Sequence, residues 1–418
     1  MKELLYSRKG ATSVFLTAIL ASVLLLVGLF IQAASREAGR SCADAVLETA
    51  GRSVLSEYNL LLQKRYGIFA FHADESQVEK KIRYYADYSF HDNPLKEITR
   101  GSYVDLLELD AESVRVSLRG YSLTDAGLFE RQILAYMKTG ILKKNPFEKA
   151  ECNPENEEIV LRNRKVINSL PSAGYESNIF IDIKKNVEEG IPKPEEIMKK
   201  GGAIYLVDEY ILRHFRNHLL GNGDHTRDTF FRNEVEYILK GNLSDDKNYR
   251  AVRSDLFLMR NLLNLIHINC DPEKRKKVEA VAAALTLGEG EPVAAVVVAE
   301  AWAAAETEND LRLLENGKPV ALVKRKENWA VPISDTLEYL WKDGFLEPKE
   351  MSGCDYENYL RILLYLENHE KKLFRCMDLI QINMKGCYDR DFDLKEHYGG
   401  FQLRAVVNGM EFTYEQKY

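Results

Sequence analysis

The chain has 418 residues, 45% of them hydrophobic and 29% charged, the composition of a folded protein able to bury a core. Its 57 basic and 64 acidic side chains leave a net charge of -7, so no basic surplus marks a nucleic-acid partner. The six cysteines, Cys42, Cys152, Cys270, Cys354, Cys376 and Cys387, are scattered and form no CxxC pair, which excludes a disulfide framework or a paired-cysteine zinc site as the organising device.

The first element is a membrane span. From Gly10 to Ser35 there is no ionisable residue, and a hydrocarbon core about 30 Å thick needs roughly 20 such residues in a helix. Residues 11–35 are therefore expected to cross a bilayer. Residues 1–10, with Lys2, Arg8 and Lys9 against Glu3, are expected to stay in the cytoplasm, which sends the rest of the chain outside. A cleaved signal peptide ending near Ile31-Gln32-Ala33 is the rival reading, but its apolar region would run only about 7–15 residues.

Residues 36–142 form the second part. Apolar residues recur at Ala38, Cys42, Val46, Ala50, Val54, Tyr58, Leu61 and Tyr66, mostly four apart, with the charges on other faces. That spacing predicts that the span continues as an amphipathic helix to about Tyr66, roughly 80 Å in all. Gly67 supplies its stop and Gly39 the place for a bend. Farther on, Leu107 and Leu109, then Val114, Val116 and Leu118, read as two strands around Asp110-Ala-Glu. Residues 143–202 hold five of the 11 prolines and read as a polar linker or insertion with short helices.

Residues 203–418 read as mainly helical: Leu206–Leu220, Thr229–Leu239, Asp255–Ile268, and an alanine-rich pair, Val278–Leu287 and Pro292–Leu314, expected as a buried hairpin. The chain closes on a β-hairpin. Phe401, Leu403, Ala405 and Val407 alternate before Asn408-Gly409, and Met410, Phe412 and Tyr414 alternate after it, around the dipeptide that favours a type I′ turn. The fold class is thus α+β, helix-dominated, with a pilin-like layout of span, amphipathic helix and extracytoplasmic domain.

Local sequence adds a resemblance. Arg8-Lys9-Gly10-Ala11-Thr12-Ser13-Val14-Phe15 resembles the start of TadE/TadG-like pseudopilins of the Tad (Flp) pilus system. The stretch from Ser53 to Phe69, with Glu234–Gly241, Ala301-Trp302, Tyr356–Leu364 and Met377–Ile380, is similar to an uncharacterised family of membrane-anchored proteins found with Tad loci in Firmicutes. The resemblance implies a pseudopilin-like or accessory component that works by assembly and protein binding, with the bilayer and other Tad-type envelope proteins as partners. It also makes Gly10-Ala11 a candidate processing site. The family pattern places a Glu five residues beyond the cut, where this chain has Phe15, so the site is expected to remain unused.

Chemistry is sparse in the sequence. Walker, HExxH, GxSxG and GxGxxG patterns are absent, so no enzyme activity, cofactor or small-molecule substrate is expected. The best metal set is His214, His218, Asp224 and His225. The two histidines four apart would share a helical face and Asp224 or His225 would arrive from the loop, the basis of an alternative reading as an anchored hydrolase. Arg213 and Arg216 beside them disfavour a cation, and a polar helix face is the expected outcome. A surface ligand-binding module is the other alternative. Glu234 and Glu236 are read as structural polar contacts that diverge on a helix, and Cys376, on the stripe Leu373, Met377, Ile380 and Met384, as a core thiol in preference to a partner for Cys387.

Overall fold

The computed structural model describes residues 8–91, 107–140, 169–174, 182–221, 229–286, 290–341 and 344–418. The chain forms two compact units: residues 1–60, 69–122 and 396–418, and residues 61–68 with 123–395.

The first unit is built on one helix, Arg8–Leu55. It is long and apolar enough to cross a membrane. Residues 12–38 are exposed all round, and from Gly39 onward one face turns inward. That face is Gly39, Ala43, Leu47, Ala50 and Val54. The seam lies one residue beyond the expected stripe at its start: Ala38 is exposed, and Cys42 and Val46 are half-buried. The helix passes Gly39 unbroken, with Leu109 packed against it 3.5 Å from where a Cβ would be. It ends at Leu55, short of Tyr66. The Ser56 hydroxyl turns back to the Ser53 carbonyl, and the Asn59 N–H leaves for the Ala70 carbonyl, so the polar Ser-Glu-Tyr-Asn segment breaks the ladder. Leu60–Tyr66 is a separate helix.

Among the described residues, five strands belong to this unit: β1 (Phe71–His72), β2 (Ala111–Ser117), β3 (His397–Tyr398), β4 (Gly400–Val407) and β5 (Met410–Lys417). The hairpin forms as the Asn-Gly signal predicts, with φ of 47° at Asn408 and 72° at Gly409. The other pairing departs from expectation. β2 pairs not with a strand at Leu107–Leu109 but with β4, Val116 opposite Leu403, giving the antiparallel order β2-β4-β5. One sheet face, with Val114, Val116, Phe401, Leu403, Ala405, Val407 and Phe412, joins the N-terminal helix and the helix Glu75–His91 in a single core. The outer edge of β2 is closed by side chains: Glu79 and Glu75 accept the N–H groups of Val116 and Leu118, both at 2.9 Å.

The second unit is helical. Gly202–His214 packs on Ala126–Gly140 and on Tyr356–Leu366, while Asp245–Cys270, Pro272–Thr286 and Glu291–Glu315 pack mutually. The short helices Ile183–Glu189 and Pro194–Lys200 lie in the polar segment. The alanine-rich pair is buried only over part of its length. Ala299, Trp302, Ala303 and Ala305 are inside, but Leu285, Val293, Val296 and Val297 are more than 60% exposed. Gly67, with φ of 66°, does cap Leu60–Tyr66, and the Tyr136 ring fills the space a Cβ would need.

Candidate functional site

The histidine pair is not assembled on one helical face. Gly202–His214 ends at His214, Phe215 is extended (φ -120°, ψ 140°), and a new short helix begins at His218. His214 is buried and stacked on Tyr210, with Nδ1 3.0 Å from the Tyr210 carbonyl and Nε2 3.3 Å from the Tyr136 hydroxyl. Burial pushes its pKa down to about 4, so it is neutral at physiological pH. His218 stacks on Tyr249 at 3.7 Å and faces the Asn233 side chain. Asp224 and His225 lie outside the described residues. The Gly10-Ala11 bond lies within the first turn of the helix that starts at Arg8.

Glu234 and Glu236, two apart on the helix Glu234–Lys240, each accept a different N–H of the chain that follows Phe215. Both are fully buried, and both take N–H groups from residues 216–218: Arg216 donates to Glu234 at 2.8 Å and His218 to Glu236 at 3.0 Å, while the Val235 N–H donates to the Arg216 carbonyl. The two carboxylates act as a strand edge for the segment that follows the broken helix. Both make structural polar contacts. Glu236 also accepts the Tyr356 hydroxyl at 2.8 Å. Loss of water outweighs these bonds and raises its pKa to about 7.

A larger buried polar assembly spans Asp245–Cys270, Glu291–Glu315 and the chain after Gly317. Arg260, fully buried, donates to Asp310 at 2.8 and 3.1 Å, to the carbonyls of Ala321 and Leu322, and to Asn264. Lys324 bridges Asp310 and Glu306, and Glu306 accepts the N–H groups of Ala330 and Val331. Burial alone would raise the Asp310 carboxyl, yet Lys324 and Arg260 together hold it below its usual range. Beside it, Trp302 and Trp329 both donate to the Val331 carbonyl, and Lys274 sits 3.4 Å from the Trp329 ring centre and 5.1 Å from that of Trp302. Burial presses Lys274 down to about 7. The sequence reading missed this assembly. Its available signal was Glu306 and Asp310, four apart on an otherwise apolar face, facing Arg260 and Asn264 with the same spacing. The arrangement satisfies its own charges: it clamps residues 320–331 onto two helices and leaves no open ligand position among these groups.

Among the described residues, Cys42, Cys270, Cys354 and Cys376 are free, and Cys376 is fully buried, the core thiol its stripe predicts. Cys387 is disulfide-bonded, but not to Cys376.

The buried assembly and the carboxylate pair both fall within a region matched by one protein family. The chain belongs to a family of unknown function, DUF5702, over residues 155–409. The N-terminal helix precedes that region. No curated protein and no solved structure is similar to the chain.

Proposed function

We propose that this chain is a membrane-anchored, pseudopilin-like or accessory component of a Tad-type pilus or secretion apparatus, acting by assembly and protein binding. The observation that carries the reading is the N-terminal helix. One unbroken element presents apolar side chains on every face over its first half and serves as a core element of an α+β unit over its second. A helix apolar all round needs lipid or protein about it, and the basic residues Lys2, Arg8 and Lys9 favour a cytoplasmic start. The resemblance at Arg8–Phe15 supplies the Tad assignment, and Phe15 in place of the expected Glu favours an accessory role with Met1–Gly10 retained. Isolation of the tagged chain from mildly solubilised membranes should recover Tad-type apparatus proteins, and deletion of its gene should lower pilus assembly. Normal pili in the deletion strain, with no such proteins recovered, would refute the assignment.

A further inference from the structure

The seam between the N-terminal helix and β5 sets how far the sheet reaches along that helix. Three contacts run in step: the Tyr414 hydroxyl on Asp44, the Gln416 side chain against Gly51, and the Tyr418 hydroxyl on the Leu55 carbonyl. Residues 44 to 55 of the helix rise about 16 Å, and residues 414 to 418 of the extended chain about 13 Å. The two elements therefore advance together, nearly parallel. Met410 lies four residues before Tyr414, another 13 Å or so back along the strand, which brings it level with residues 35–36. There the uncharged run ends. A second register sets the turn about one helical turn farther on: Leu109 lies against Gly39, and the Asp110 N–H donates to Asn408 Oδ1 at 2.9 Å.

The turn at that level is braced. Asn408 donates to the Glu108 carbonyl at 3.0 Å, and the Gly409 N–H donates to Glu112 at 2.9 Å. Glu108 and Asn408 are also the non-glycine residues with positive φ among those described, so strained backbone gathers at this one end of the unit. Exposed around it are Arg36, Glu37 and Arg40 on the helix and Glu108, Asp110, Glu112 and Glu411 on the sheet side. The arginines suit phosphate and the carboxylates suit ammonium, the two charges of a zwitterionic lipid headgroup.

We propose that the β4–β5 turn and its flanking residues rest in the headgroup layer of the bilayer crossed by the N-terminal helix, so that the first unit is docked on the membrane surface as well as tethered to it. This rests on the membrane reading above. The test places a benzophenone amino acid at Glu411, Lys417 or Leu25 in the full chain, reconstituted in vesicles of phosphatidylethanolamine and phosphatidylglycerol, with lipid adducts read by mass spectrometry. Lys417 lies about 20 Å farther along the strand. The proposal expects several-fold more lipid adduct at Glu411 than at Lys417. Adduct at Leu25 but none above the Lys417 level at Glu411 would overturn the docking alone. Absence of adduct at Leu25 would remove the membrane reading and the docking with it.

Discussion

Glu236 and His214 carry opposite pH dependences over nearly the same range. Glu236, raised to about 7 from 4.5, contributes stability that is complete below pH 4.5 and is lost as pH rises through 7. His214, lowered to about 4 from 6.5, contributes stability that is complete above pH 6.5 and is lost as pH falls through 4. Each shift corresponds to about 3 kcal/mol, so in the parent the two largely offset. Glu236→Gln should leave the histidine unopposed, and stability relative to the parent should climb between pH 4.5 and 7; His214→Gln should reverse the slope. Urea midpoints of the detergent-solubilised chain at pH 5 and 7 check both signs. Arg260 gives a second test at this scale. Arg260→Met strands the carbonyls of Ala321 and Leu322 and removes one of the two cations on Asp310, a loss of about 3–5 kcal/mol for a broken buried pair. Trp302 and Trp329 fluorescence should report it as an earlier unfolding transition. An unchanged midpoint would mean that the clamp is not a stabilising element.

Among the elements, the N-terminal helix and the final hairpin were the most legible in the sequence, because a long uncharged run and an Asn-Gly turn are local signals. What was not legible depended on distant partners. The helix was read through to Tyr66 since its periodicity does not stop at Leu55; the stop comes from serine and asparagine bonds and from a partner at Ala70. β2 was paired with its neighbour in sequence, whereas its partner β4 lies almost 300 residues away. The charged core at Arg260 and Asp310 is not legible in the sequence for the same reason, since each half looks like an isolated polar residue until the helices meet. The seam of the first helix can be tested directly. Val54 is 1% exposed, so Val54→Asp buries a carboxylate at a cost of several kcal/mol. Arg52 is exposed and paired with Glu48, four residues earlier, so Arg52→Asp should cost about 1 kcal/mol or less. Equal melting temperatures for the two variants would remove the packing of this helix half.

At the scale of the whole molecule, the proposed reading has one helix joining a bilayer to an extracytoplasmic α+β unit, and the second unit is helical and held by buried polar bonds. The family region at 155–409 lies beyond that helix, so the side of the membrane on which the helix delivers it decides the environment in which it works. Cys270 is free and exposed in the second unit, which makes it a reporter. Intact protoplasts treated with a membrane-impermeant maleimide, followed by mass spectrometry of carbonate-washed membranes, measure anchoring and orientation together. The account predicts Cys270 labelled before lysis in the membrane fraction; labelling only after lysis, or only in a soluble form, would contradict it.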